Sequence, residues 1–65
     1  MGETRGEMAL RHVISGRRII LAQRDHIERL RARGGDASDA EQLLSQYERT
    51  QAIFEDDLKR LTSKQ

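Results

Sequence analysis

The sequence predicts an all-α protein: one antiparallel two-helix hairpin, coiled-coil-like, formed by the whole chain of residues 1–65. Three observations lead to this prediction. Two long segments carry apolar residues at heptad spacing, two glycines separate them, and opposite charges flank the two apolar stripes. We expect a first helix at about residues 3–33, a turn at 34–37 and a second helix at about 38–62.

The first segment places its apolar residues in two columns that share one helix face. One column holds Val13, Ile20 and Ile27, and the other holds Ala9, Gly16, Gln23 and Leu30. Glycine readily adopts the left-handed conformation that ends many helices. The pair Gly34-Gly35 therefore predicts the C-terminus of this helix.

The second segment repeats the pattern after the glycines. Its two columns hold Ala37, Leu44, Gln51 and Leu58 on one side and Ala40, Tyr47, Phe54 and Leu61 on the other. A side-chain oxygen of Asp36 or Ser38 is expected to accept a hydrogen bond from the free amides at the start of this helix. The run from Ser38 to Glu41 also has the spacing of a capping box.

Charged residues beside the two stripes predict how the helices pair. The first helix carries arginines and the second carries glutamates, and folding at the glycines matches Arg31 with Glu41, Arg24 with Glu48, and Arg17 with Glu55. An exposed ion pair contributes only about 0–1 kcal/mol. Like charges at these positions would repel, so the ladder determines register and orientation more than stability.

Two column positions are not apolar. Gln23 and Gln51 are predicted to share one layer of the seam and to bond each other through their amides. Gly16 interrupts the first helix, where glycine costs about 1 kcal/mol relative to alanine. We expect it to make room for Phe54 or Leu58, and the alternative is a closer approach by another chain.

The size of the chain favours association with a second copy. A domain this short buries only about 60% of its unfolded surface and usually needs disulfides, metals or partners. The sequence has no cysteine. Apolar residues from both helices fall on one shared flank, which predicts a homodimeric four-helix bundle. The candidate dimer interface consists of Ile19, Ala22, Leu43, Thr50 and Ile53, and a second stripe on the first helix consists of Leu10, Ile14 and Leu21.

The motifs of enzymes, metal sites and cofactor sites are missing from the sequence. His12 and His26 stand two heptads apart, about 21 Å at 1.5 Å per residue, and lack the i, i+4 spacing of helical metal ligands. The acidic run from Glu55 to Asp57 has no partner suited to acid–base chemistry. We therefore expect no catalytic residue, no metal and no cofactor.

The predicted function is a small non-enzymatic protein-interaction or regulatory hairpin. The alternative is an RNA- or DNA-binding hairpin that uses the basic face of the first helix, with Arg11, Arg18, Arg29 and Arg33 as the candidate contacts. A net charge of +1 and the lack of aromatic residues near these arginines weigh against it. No apolar run approaches a membrane span and no signal peptide is evident, so a cytoplasmic protein is expected.

Residues 11 to about 54 resemble a group of small uncharacterised helical-hairpin proteins of rhizobia and related alphaproteobacteria. The residues that carry the resemblance are Arg11-His12-Val13, Gly16, Arg18, Ile20, Gln23, Ile27, Leu30, the Gly-Gly-Asp turn, Ala40, Leu43-Leu44, Tyr47 and Thr50. The resemblance implies a short helical hairpin and carries over no site. In length and shape the chain is also similar to the plasmid-copy-control RNA-binding hairpins that dimerise into four-helix bundles, although no motif matches them.

Overall fold

The computed structural model describes residues 2–63 as two helices that pack against each other along their length. Helix α1 spans Arg5–Ala32 and helix α2 spans Ser38–Thr62. The hairpin measures 50 × 21 × 14 Å. The predicted all-α hairpin is confirmed, with helix bounds within two residues of those expected. The ends of the predicted 1–65 unit, Met1, Lys64 and Gln65, lie outside the described residues.

Helix α1 begins at a reciprocal capping box that our sequence reasoning missed. The Thr4 hydroxyl accepts from the Glu7 amide at 3.0 Å, and the Glu7 carboxylate accepts from the Thr4 amide at 2.8 Å. These bonds satisfy two of the free amides at the helix start. The bond from the Thr4 amide is the main reason why the pKa of Glu7 lies below its usual range. The Thr-x-x-Glu spacing of these residues in the sequence could have predicted this capping box.

Helix α1 ends at the predicted glycines. Gly34 has a φ of 75°, the left-handed conformation that a residue with a Cβ adopts only at a cost. The Gly34 amide donates to the carbonyl oxygen of Arg31 at 2.9 Å, and the Gly35 amide donates to that of Leu30 at 2.8 Å. This pair of bonds is a Schellman motif, which closes the last turn and reverses the chain.

The start of α2 differs in part from the prediction. Ser38 is the first residue of the helix, so the capping box expected from Ser38 to Glu41 is wrong. Asp36 fulfils the other expectation, since its carboxylate accepts from the Ser38 amide at 2.9 Å and from the Ser38 hydroxyl at 2.6 Å. The hydroxyl first, and then the amide, hold the pKa of the Asp36 carboxyl below its usual range. The N-cap position, Ala37, contributes no side-chain bond.

The seam between the helices contains the predicted columns, but only some of the column residues are fully buried. Its buried members are Ala9, Val13, Ile27, Ala37 and Gln51. Its half-buried members are Gly16, Ile20, Gln23, Leu30, Ala40, Leu44, Tyr47, Phe54 and Leu58. Leu61 is 43% exposed, so its assignment to the core is wrong. The register that sets Gly16 against Gln51 also sets Gly6 opposite Leu61, and glycine offers no side chain to cover it.

Candidate interaction surface

One side of the seam is closed by the predicted ladder of three ion pairs. Arg17 bonds Glu55 through two nitrogens, at 2.9 and 2.8 Å, in the planar fork that guanidinium and carboxylate prefer. Arg24 reaches Glu48 at 3.0 Å, and the third pair joins Arg31 to Glu41. The ladder and the antiparallel register that it implies are confirmed. We call this edge of the hairpin the ladder side.

The first rung of the ladder continues into the core. The amide nitrogen of the buried Gln51 donates to the Glu55 carboxylate at 2.7 Å and to the Val13 carbonyl oxygen at 3.0 Å. The bonds from Arg17 first, and then from Gln51, hold the pKa of Glu55 below its usual range. The same contact with Glu55 raises the pKa of the Arg17 guanidinium. The Glu55 carboxylate is thus shared by a surface ion pair and a buried amide. Because of this shared bond, the alignment of the ion pairs and the alignment of the seam residues depend on each other.

Gly16 accommodates Gln51, and the expectation that it faces Phe54 or Leu58 is wrong. A Cβ on Gly16 would stand 1.7 Å from the Gln51 side-chain oxygen and 2.7 Å from its amide carbon. That oxygen is buried and has no hydrogen-bond partner within residues 2–63. Its closest surroundings are therefore the bare backbone of the glycine, which only a residue without a side chain can offer.

The predicted bond between Gln23 and Gln51 is also wrong. The Gln23 amide donates to the Ala40 carbonyl oxygen at 2.9 Å, nearer to the turn than Gln51. The ladder fixes a register in which the two glutamines stand one heptad away from a shared layer. Each amide therefore bonds a backbone carbonyl of the opposite helix instead of the other amide.

The opposite side of the seam carries the candidate dimer interface. Ile19, Leu43 and Thr50 each precede a column residue, whereas the ladder residues each follow one, so the two sets lie on opposite sides. All five predicted interface residues are exposed, including Ile19 at 46%, Leu43 at 38% and Ile53 at 61%. We call the surface formed by Ile19, Ala22, Leu43, Thr50 and Ile53 the apolar face.

A concavity of about 590 Å³ continues the apolar face toward the end of the hairpin opposite the turn, which we call the open end. It is lined by Arg5, Met8, Ala9, His12, Phe54, Asp57, Arg60 and Leu61. The His12 and Phe54 rings meet there at 5.0 Å between centroids. Met8 and Leu61 add apolar surface at 42% and 43% exposure. Sequence reasoning missed this site, although Met8 shares its heptad position with Ala22.

The four arginines of the alternative prediction do not form a uniform basic surface. Arg11 bonds Glu3 at 2.6 Å and Arg29 bonds Asp25 at 2.7 Å. Arg18 and Arg33 are exposed and make no ion pair with any of the residues 2–63. Two of the four guanidinium groups are therefore engaged by carboxylates of the same chain.

The histidines lie along the side of the apolar face. His12 and Asp57 line the same concavity, and His26 lines a shallow patch with Arg29, Ala32 and Arg33. Within the part of the chain that the structure describes, no three His, Asp or Glu side chains converge on a point where a metal ion could bind. Neither described helix combines the length and hydrophobicity needed to cross a membrane.

Comparisons of the chain with protein-family models, with curated proteins and with solved structures find no match. The resemblance to the rhizobial hairpin proteins stays a prediction.

Proposed function

We propose that the protein is a non-enzymatic interaction module, a helical hairpin that pairs with a second copy of itself through the apolar face. The pair forms a four-helix bundle and presents its remaining helical surface to a protein partner. The observation that carries the proposal is the contrast across the seam. On the ladder side ion pairs join the helices, and among the described residues only α1 exposes large apolar side chains there, namely Leu10, Ile14 and Leu21; on the other side both helices expose them.

The core of one hairpin is small, which supports the need for a second copy. Of the residues described, four hydrophobic ones are buried, two of them alanines, and only Val13 is covered almost completely, at 1% exposure. Full burial of an isoleucine or leucine side chain contributes about 1.5–3 kcal/mol. Ile19, Leu43 and Ile53 are 38–61% exposed in one hairpin, so covering each of them would supply about half of such a contribution.

The dimensions of the hairpin fit the proposal. A face of 50 by 21 Å has a footprint of about 1,000 Å², and a stable interface buries about 800 Å² per partner. One face is therefore large enough, provided that most of its length is covered. The concavity next to the apolar face extends the available apolar surface to the open end.

The proposal predicts thermal stability that depends on protein concentration, because dimerisation links folding to mass action. Circular dichroism melts over a hundredfold concentration range should show a melting temperature that rises with concentration. Light scattering at the highest concentration should give twice the chain mass of 7.5 kDa. A stable helical monomer of 7.5 kDa with a constant melting temperature contradicts the proposal.

A nucleic-acid-binding hairpin is the second candidate, supported by the exposed Arg18 and Arg33 that lack ion-pair partners among residues 2–63. Such binding would weaken steeply with salt as counterions are released from the phosphates. Gel shifts with duplex DNA and with structured RNA in rising salt test it. The Arg18→Gln/Arg33→Gln variant should lose the shift if these groups contact phosphate. No shift at low salt excludes this candidate.

A further inference from the structure

The charges around the apolar face differ between its two helices at the turn end. Arg29 lies in the heptad position of Ala22, and Arg33 in that of Ile19, so the α1 edge is basic there. On α2, Asp39 shares the heptad position of Ile53. The nearby Asp36 precedes Ala37 as Leu43 precedes Leu44. All four charged side chains are exposed. Arg33 and Asp39 make no ion pair within residues 2–63, whereas Arg29 bonds Asp25 and the Asp36 carboxylate accepts from Ser38 in the same chain.

Helix geometry places these opposite charges at similar heights. In the register that sets Gly16 against Gln51, Arg29 lies level with Ser38 and therefore within about one residue of Asp39, whereas Arg33 and Asp36 lie in the turn, outside both helices. At the open end, His12 of α1 and Asp57 of α2 likewise lie close in height and line the same concavity. At the turn end the α1 edge is therefore basic and the α2 edge acidic, whereas at the open end Arg60 lies on the α2 edge together with Asp57.

A symmetric dimer through this face has two possible two-fold axes. An axis along the hairpin brings the two turns to the same end and lays α1 of one copy over α2 of the other. An axis across the hairpin lays the turn end of one copy over the open end of the other, α1 over α1. The apolar side chains lie in the middle of the face, so either rotation covers them.

The charges distinguish the two rotations. The axis along the hairpin sets Arg29 opposite Asp39 twice in each dimer and brings the turns, with Arg33 and Asp36, to the same end. The axis across the hairpin sets Arg33 near Arg5, which is a like-charge contact. Complementary charges favour one orientation and disfavour the other even where each exposed pair contributes little stability.

We infer that the two copies pair with their turns at the same end, the basic edge of α1 lying on the acidic edge of the second copy's α2. This inference rests on the proposed function and adds the orientation of the partner. It also gives Arg29 and Arg33 a role in self-association instead of in nucleic-acid contact.

A distance between two spin labels tests the orientation. The chain has no cysteine, so Ala32→Cys places one label at the exposed end of α1 in each copy. With the turns at the same end, the distance between the labels is the diagonal of a four-helix bundle plus the lengths of the two label side chains, about 25 Å in all. With the opposite axis centred on Ile19, the axial separation alone is about 39 Å, because each label lies 13 residues from that centre.

The outcomes of the distance measurement separate the two proposals. A main distance near the shorter of these two separations supports the orientation. A main distance at or beyond the longer separation overturns the orientation while the dimer stands. The absence of any distance between copies overturns the dimer itself, and the orientation with it.

Complementation between two charge reversals tests the same contact without a label. Arg29→Glu and Asp39→Lys should each weaken self-association roughly tenfold, because two contacts per dimer become repulsive. An equimolar mixture of the two variants should recover wild-type affinity, since every contact in the mixed dimer joins opposite charges. The opposite axis predicts no recovery, because there the two positions do not meet.

A matched control keeps the complementation test specific. Arg18→Glu changes the net charge as Arg29→Glu does, on the same helix, at an exposed position outside the apolar face. It should leave self-association within about twofold of the wild type. Far-ultraviolet circular dichroism confirms that each variant is helical before its affinity is compared. Equal weakening by Arg18→Glu, or a mixture no tighter than its components, overturns the orientation.

Discussion

The two sides of the seam are built from the same two helices but differ in chemistry. On the ladder side, Arg17, Arg24 and Arg31 each meet a glutamate of the other helix. On the opposite side, Ile19 and Ile53 are 46% and 61% exposed and lie in no core of their own chain. Ion pairs determine how the helices align, whereas the uncovered apolar side chains form the surface that we propose contacts a second copy.

The ladder side also contains the contacts that determine the register of the two helices most strongly. The bidentate pair of Arg17 and Glu55 is joined to the core through Gln51, whose amide also reaches the Val13 carbonyl. A shift of one heptad would break this network and set Gly16 against a different side chain. A shift in the register of the two helices is therefore opposed by these hydrogen bonds to the core as well as by the surface ion pairs.

Gly16→Ala should produce the largest change on the ladder side. The new Cβ would push the Gln51 side chain from its bonds to Val13 and Glu55, and lost bonds and overpacking each cost on the order of 1 kcal/mol. The helix propensity of alanine recovers up to about 1 kcal/mol. We expect a net loss of about 1–2 kcal/mol in the free energy of unfolding, measured by urea denaturation.

Gly6→Ala is the matched control, because among residues 2–63 its new Cβ would meet no side-chain atom closer than the Thr4 hydroxyl oxygen at 4.0 Å. It should leave stability unchanged or raise it slightly. In a Gln51→Ala background the cost of Gly16→Ala should fall by about 1 kcal/mol or more. If Gly16→Ala stabilises the protein as much as Gly6→Ala does, Gln51 does not need the glycine.

The sequence was sufficient to predict the hairpin, its turn and the ladder, because heptad periodicity and charge sign are properties of spacing alone. It was not sufficient for Gln23 and Gln51. A buried amide bonds whichever acceptor the register brings nearest, and here these are the carbonyl oxygens of Ala40 and Val13. The cap formed by Thr4 and Glu7 was predictable from its spacing, and Ser38 matched the same pattern one residue too late.

Reversal of one rung should have a smaller effect. Arg24→Glu sets two carboxylates against each other at positions that are more than 40% exposed, and we expect a loss below about 1 kcal/mol. The double variant Arg24→Glu/Glu48→Arg should recover most of it in the same denaturation assay. Self-association should stay unchanged in both variants. A change in dimer affinity as large as the change in stability would show that the two sides are not independent.

The smallest expected effect is the pH dependence of the rung with Glu55. Because the pKa of Glu55 is lowered in the folded chain, its contribution is complete above the ordinary glutamate pKa of about 4.3 and is lost as the pH falls through the lowered value. Arg17→Gln removes the main cause of the lowering. Its melting temperature should therefore decline less between pH 6 and pH 3 than that of the wild type.

Arg18→Gln is the control for this titration, because Arg18 is exposed and makes no ion pair within the described residues 2–63. It should keep the wild-type pH profile, in which Glu7 and Asp36 also contribute through their lowered pKa values. Identical profiles for Arg17→Gln and the wild type would contradict the role of the rung.

The candidate interaction surface was predicted less completely than the fold. Heptad positions located Ile19, Leu43 and Ile53 on one flank, since both columns and their neighbours follow from spacing. The concavity at the open end was not predicted, because it depends on how the rings of His12 and Phe54 meet and on how Met8 and Leu61 lie around them. These depend on side-chain packing, which the hydrophobic pattern does not encode.

The central claim is that the apolar face, and not the second stripe of Leu10, Ile14 and Leu21, holds two copies together. Sedimentation equilibrium of Ile53→Glu and Leu21→Glu tests it most directly, since the two residues are 61% and 64% exposed and receive the same charge. We predict twice the chain mass of 7.5 kDa for Leu21→Glu and the single chain mass for Ile53→Glu. A dimeric Ile53→Glu beside a monomeric Leu21→Glu would contradict the account.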